Sequence, residues 1–218
     1  MINKSQLRFI ACILFSQFIL VNNGCKKSDI ELPTSVVDID GNGYHTVTIG
    51  TQEWLKENLK TTKLNNGTPI LQMKDGNAWG YMSIAAYCWY DNDSAAYKNT
   101  HGALYNWHTV NTGKLCPIGW HVPTEDEWIA LITPIGGESR AGLKLKESGT
   151  GDFTALYSGA RGIDGAFGWL GMYGFWWSAT EVDFNTARYL YITKTDSYAK
   201  LATINNMLGY SVRCLKDN

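Results

Sequence analysis

The sequence predicts a domain of short strands and long shaped loops that carries one clear helix, and three observations lead there. The chain is rich in Trp, Tyr and Gly (9, 12 and 22 residues) with only 5 Pro, a mix that favours pleated and tightly turning chain over helical bundles. The segment from Pro123 to Gly137 holds a full set of helix start and stop signals. The last third falls into three β runs separated by turn residues.

The chain opens with Lys4 and Arg8, an apolar stretch from Phe9 to Val21, and then Asn22-Asn23-Gly24-Cys25. An apolar run of about 13 residues fits a secretion signal and is shorter than the ~20 needed to span a bilayer. Residues 1–24 therefore read as a signal peptide that resembles a bacterial lipoprotein signal, with Cys25 as the lipidated residue. Asn22 departs from the aliphatic residue normal at its position, and an ordinary signal cut nearby would leave Cys25 unmodified. Lys26-Lys27-Ser28-Asp29 starts a polar tether over residues 25–35, followed by one domain over 36–218. The expected location is the cell envelope, lipid-anchored at the outer membrane on its periplasmic or surface face. Each buried methylene of an acyl chain contributes roughly 0.8 kcal/mol, so several chains on one cysteine anchor firmly.

Without the first 24 residues, which contain Lys4 and Arg8 and no acid, the formal charge moves from −1 to −3. That mild acidity leaves no electrostatic footprint for nucleic acid. Three cysteines remain in the domain: Cys88, Cys116 and Cys214. In an oxidising compartment two of them can pair, and spacing does not decide which. A Cys116–Cys214 bridge would close a long loop, stabilising by about 4–5 kcal/mol on the chain-entropy view. Cys88, between Tyr87 and Trp89, reads as a buried apolar position and is the candidate free thiol.

Along the domain, Asp40-Gly41-Asn42-Gly43 is a turn leading into a strand in which His45, Val47 and Ile49 share one face. Gly50-Thr51 then joins it to Gln52-Glu53-Trp54-Leu55 as a hairpin. Asp38-x-Asp40-Gly41-Asn42 has the look of a calcium loop but lacks its closing acid, so it reads as a turn. Asn65 to Pro69 is a turn, and Ala86 to Tyr90 a buried strand. Asp91-Asn92-Asp93-Ser94 follows, either a cation pair or, as favoured here, a solvated loop or helix cap. Gly102 to Val110 has helical spacing, with Leu104, Trp107 and His108 on one side. In Pro123-Thr124-Glu125-Asp126-Glu127-Trp128, Thr124 and Glu127 form a capping box, and Trp128, Leu131, Ile132 and Ile135 make one apolar stripe that Gly136-Gly137 ends. From Gly149 to Trp177, glycines and aromatic residues interleave without period, which predicts long loops pinned by rings and a strand at Trp176–Thr180. The three final β runs are Arg188–Thr193, Ser197–Ala202 and Tyr210–Leu215, with Lys194-Thr195-Asp196 as the first turn.

These residues look like a known family. Val47 to Trp54 with Glu57-Asn58-Leu59-Lys60-Thr61-Thr62, Ala86 to Tyr90, Gly102 to Trp107 and Cys116 to Thr124 occur in its order. Glu127-Trp128, Phe153 to Leu156, Trp176 to Glu181 and Ser211-Val212-Arg213-Cys214 follow. Over about residues 36–217 the chain resembles the Fibrobacter succinogenes major paralogous domain, found in envelope lipoproteins of Bacteroidetes and Fibrobacteres. That family is similar to the formylglycine-generating-enzyme and C-type-lectin-like superfamily. The resemblance implies an α+β fold, C-type-lectin-like or formylglycine-generating-enzyme-like, with a twisted antiparallel sheet, a few helices and long ordered loops. It implies no activity.

The functional expectation is a non-enzymatic binding or adhesion module whose partners are the membrane, through the lipid, and a glycan or surface protein. Aromatic rings on shaped loops suit both sugar faces and protein hot spots. The candidate contacts are Trp89, Trp169 and Tyr173, with Asp91 and Asp93 as polar partners, although most tryptophans must fill the core. A related oxidase would need closely spaced cysteines, and Ala199 to Tyr210 before Ser211-Val212-Arg213-Cys214 contains none. Cys116 and Cys214 are better read as a structural bridge. No G-x-S-x-G, H-E-x-x-H or C-x-x-C motif occurs, so no enzyme, cofactor or metal is expected. A structural surface protein shares the anchor and differs in having no discrete pocket.

Overall fold

The computed structural model describes residues 36–146 and 153–218. The signal segment, Cys25 and the tether lie outside the described residues.

β1 (Val36–Val37) and β2 (Gly43–Tyr44) pair antiparallel around Asp38. The Asp38 carboxylate accepts from the Asp40 and Asn42 amides, both at 2.9 Å, and from the Tyr44 hydroxyl at 2.7 Å. An aspartate that takes its own downstream amides builds a turn. β3 (Thr46–Ile49) and β4 (Gln52–Leu55) form the expected hairpin, with Ile49 opposite Gln52. Gly50 turns it at a φ of +63°, a backbone region that glycine enters without penalty.

β5 (Leu71–Gln72), α1 (Gly76–Trp79), β6 (Ala86–Cys88), α2 (Ser94–His101) and β7 (Leu104–Tyr105) come next. The three strands share a sheet in which β5 and β6 run parallel and β6 and β7 antiparallel. One expectation is corrected here, because Gly102 to Val110 is not a helix. Gly102 ends α2, Tyr105 pairs with Tyr87 and Tyr210, and only α3 (Trp107–Val110) is helical. Asn106 starts α3 by accepting the Thr109 amide at 3.1 Å. Long-range strand pairing outweighs a helical spacing worth a few tenths of a kcal/mol per residue.

β8 (Trp120–His121) precedes α4 (Glu125–Ile132), whose capping box is present as expected from Thr124 and Glu127. α4 buries Trp128, Leu131 and Ile132. Gly136, at a φ of +119°, ends the following turn, as expected of a glycine pair that closes the α4 stripe, and also starts a second helix the sequence did not signal, α5 (Gly137–Leu145). Gly142 of α5 lies against the Tyr198 carbonyl so closely that a Cβ would fall 2.2 Å from its oxygen.

The glycine-rich stretch is more regular than expected. β9 (Ser158–Arg161) and β10 (Phe167–Leu170) form a hairpin, and β11 (Tyr173–Asp183), β12 (Thr186–Thr193) and β13 (Ala199–Asn205) an antiparallel meander. The third predicted run of the last third leaves that meander. Tyr210 bridges to Tyr105, Ser211 lies beside Trp176, and β14 (Leu215–Lys216) pairs with both β4 and β8. The fold is therefore α+β, with five small and mostly antiparallel sheets among the described residues rather than one twisted sheet.

Cys116 and Cys214 are joined in a disulfide across 98 residues of chain, and Cys88 is a buried free thiol. Seven of the nine tryptophans are buried, and Trp169 is the exposed one. Trp54, Trp128, Trp176 and Phe153 form one cluster with α5 and the helix-facing side of the meander, in which Trp54 and Trp128 ring centres lie 4.8 Å apart. No helix among the described residues is long and apolar enough to cross a membrane.

Candidate functional site

The motif residues are largely consumed by the interior. Asn58, 2 % exposed, is their hub. Its amide nitrogen donates to the His101 carbonyl and Ser158 Oγ at 3.0 Å and lies 3.2 Å from Ser211 Oγ. Its Oδ1 accepts from Trp176 Nε1 at 2.8 Å and Arg213 Nη2 at 3.1 Å. Arg213 is fully buried 4.1 Å over the Phe153 ring, donates to the Phe153 carbonyl, and has its pKa pushed down to about 9 by burial. Trp107 Nε1 donates to the Ser178 carbonyl, and Trp177 Nε1 to that of Tyr105. Buried polar groups of this kind are costly unless paired, so their pairing holds these five motif segments together.

The five candidate contacts do not form one site. Trp89 is a core residue, 4 % exposed and edge-on to Tyr87 at 5.4 Å, and offers a ligand no surface. Asp93 caps α2, its Oδ1 accepting the Ala95 and Ala96 amides at 2.9 and 3.0 Å. Asp91 is exposed in the preceding turn at a φ of +49°. The two carboxylates thus serve the loop-and-cap alternative. No group of three His, Cys, Asp or Glu able to hold a metal occurs among the described residues.

Trp169 and Tyr173 do come together, on the face of the meander opposite α4 and α5. Cross-strand partners share a face, and Phe175 lies opposite Tyr191 while Trp177 lies opposite Tyr189. The rings grade from buried to open. Tyr210 stacks on Phe175 at 4.8 Å, and Tyr173 stacks on Phe175 at 5.5 Å with planes 3° apart. Trp169 meets the same Phe175 edge-on at 6.1 Å. Tyr191 continues the row, 5.8 Å from Tyr189 and 6.0 Å from Tyr198, and Lys200 lies 4.4 Å over the Tyr198 ring. Trp169 is 51 % exposed and takes a φ of +62°, a strained conformation for a bulky side chain.

Burial raises the Tyr189 and Tyr210 phenols above their ordinary value, and a hydrogen bond to Asp196 raises that of Tyr198. Tyr189, Tyr191 and Tyr198 escaped the sequence reading, although the period-2 run Tyr189-x-Tyr191 carried the signal. A second cluster lies apart, at the junction of β8, α4 and the C-terminal residues. His121 Nδ1 meets Asp217 at 2.6 Å and its Nε2 meets Glu127 at 2.9 Å. With both ring nitrogens engaged, His121 acts there as a tie between segments.

No curated protein and no solved structure matches the chain. The family described as the Fibrobacter succinogenes major domain matches residues 47–216, from β3 through β14. The chain belongs to the Fibrobacter succinogenes major domain family.

Proposed function

We propose that this protein is a lipid-anchored envelope protein, held through Cys25, whose domain is a non-enzymatic binding module for a glycan or an envelope protein. The observation that carries the reading is the graded ring face from Trp169 through Tyr173 and Tyr191 to Tyr198. Neutral rings on a rigid sheet give large contact area at low entropic cost, the property that recognition surfaces exploit. A strained, exposed tryptophan at its rim fits the same role, since strain persists where function uses it. In fold terms we read the domain as C-type-lectin-like or formylglycine-generating-enzyme-like. The thiols favour binding over oxidase chemistry. Cys116 and Cys214 are bonded to each other, and burial pushes the Cys88 thiol up to about 12, far from the thiolate that redox chemistry needs.

The test is capture of glycans on an array and of envelope proteins in pull-downs by the full-chain protein and by a Trp169→Ala/Tyr198→Ala variant. Capture by the wild type, lost in the variant at unchanged melting temperature, is expected. Equal capture by both would remove the ring face from the account. Labelled palmitate incorporated by wild type and not by Cys25→Ser is expected for the anchor.

A further inference from the structure

We infer that the cavity between α1 and the tip of the β9–β10 hairpin is a binding site for a neutral saccharide. The inference rests on the reading of the domain as a binding module but not on the ring face. The cavity measures about 600 Å³ and is lined by Gly76, Asn77, Gly80, Tyr81, Ile163 and Asp164. That volume lies within the range of small-molecule sites.

Its walls are backbone pressed on backbone. A Cβ on Gly80 would fall 2.0 Å from the Ile163 carbonyl oxygen, and one on Gly165 would fall 2.3 Å from that of Gly76. Beneath the contact, the buried Arg161 straps both walls together. Its Nε donates to the Gly165 carbonyl at 3.1 Å, Nη2 to the Lys74 carbonyl at 2.9 Å, and Nη1 to that of Met73. Its guanidinium also lies 4.6 Å over the Trp79 ring and 4.9 Å over Phe167. The concavity is therefore held open before any ligand arrives, which lowers the ordering cost of binding.

The lining chemistry selects the ligand class. Tyr81, 83 % exposed, and Ile163, 48 % exposed, supply a flat ring and an apolar neighbour. The Asn77 amide and the Asp164 carboxylate supply a donor and acceptors. Asp164 Oδ1 accepts the Ala166 amide at 3.0 Å, which fixes the carboxylate's orientation. One acid and no cation line the cavity, which disfavours phosphorylated, sulfated or uronic ligands. A purely apolar ligand would leave the amide and the carboxylate without partners. A pyranose ring satisfies both halves, with its C–H face on Tyr81 and its hydroxyls on Asn77 and Asp164.

The test uses full-chain protein in a zwitterionic detergent free of sugar headgroups. Cellobiose, maltose, lactose, mannobiose and chitobiose are titrated by saturation-transfer NMR, with lysine methyl ester as a cationic control. At least one disaccharide is expected to bind. Tyr81→Ala should weaken it about tenfold and Asp164→Asn about fivefold or more, while Trp169→Ala leaves it unchanged. Tyr81 is largely exposed at the cavity wall, so Tyr81→Ala should keep the wild-type melting temperature. Binding of the amine alone, or of no disaccharide, overturns the site. Binding lost in Trp169→Ala but kept in Tyr81→Ala overturns it too, while leaving the ring-face reading intact.

Discussion

Two sides of one strand use aromatic residues in opposite ways. On β11, Trp176 turns toward the helices and gives its indole N–H to Asn58, while Tyr173 and Phe175 turn to the other face and stack in the open row. Inside, Trp107, Trp176 and Trp177 each give an indole N–H to a buried oxygen, and the Arg213 guanidinium lies over Phe153 and Trp176. Outside, the rings touch one another and end at an exposed Trp169. Under the proposed function, the difference teaches that stability and recognition are assigned to separate sets of rings. The motif residues build a hydrogen-bonded interior, and the proposed binding surface uses rings outside it.

The sharpest contrast lies in the interior. Replacing both Cys116 and Cys214 by Ser releases a loop of 98 residues and should cost about 4–5 kcal/mol in chemical denaturation. Asn58→Ala strips Arg213 and Trp176 of a shared acceptor and should cost about 3–4 kcal/mol by the same measurement. A loss under about 1 kcal/mol would mean that the hub is dispensable, and the comparison would break. On the ring face the sign reverses. Trp169→Gly relieves the left-handed backbone and should raise stability by about 1 kcal/mol, while binding falls.

The smallest effect is set by pH at His121. Burial alone would lower its pKa, but the hydrogen bonds to Asp217 and Glu127 outweigh burial and raise it above 6.5. Its contribution is therefore complete below pH 6.5 and fades as pH climbs through the folded value. Burial would raise the Glu127 pKa, and hydrogen bonds to Thr124 and His121 lower it below 4.5 instead. The Glu127 contribution is present above pH 4.5 and fades on acidification. The tie should thus be tightest between those limits. Hydrogen exchange at Leu215–Asp217, corrected for intrinsic rates, should quicken above them, and His121→Gln should abolish that dependence.

What the sequence disclosed followed from how local each cause is. The capping box at Thr124 and Glu127 and the β3–β4 hairpin depend on neighbouring residues, and both are present as read. Cys88 in its apolar run is the free thiol. The Gly102–Val110 segment misled because Tyr105 is claimed by Tyr210, more than a hundred residues away in the chain, a pairing no local period reveals. The same distance hid the departure of Tyr210–Leu215 from the meander. For the site, Trp169 and Tyr173 were legible as exposed or half-exposed rings. Trp89 was not, since an aromatic run reads alike on either side of a surface.

Hydroxyl-radical footprinting of the full-chain protein, with and without isolated cell envelopes, tests the central claim most directly. The account predicts that Trp169 and Tyr198 are oxidised in the free protein and protected by envelopes, while Trp107, Trp176 and Trp177 stay unmodified in both. Oxidation of the three interior indoles, or Trp169 and Tyr198 labelled equally with and without envelopes, would contradict it.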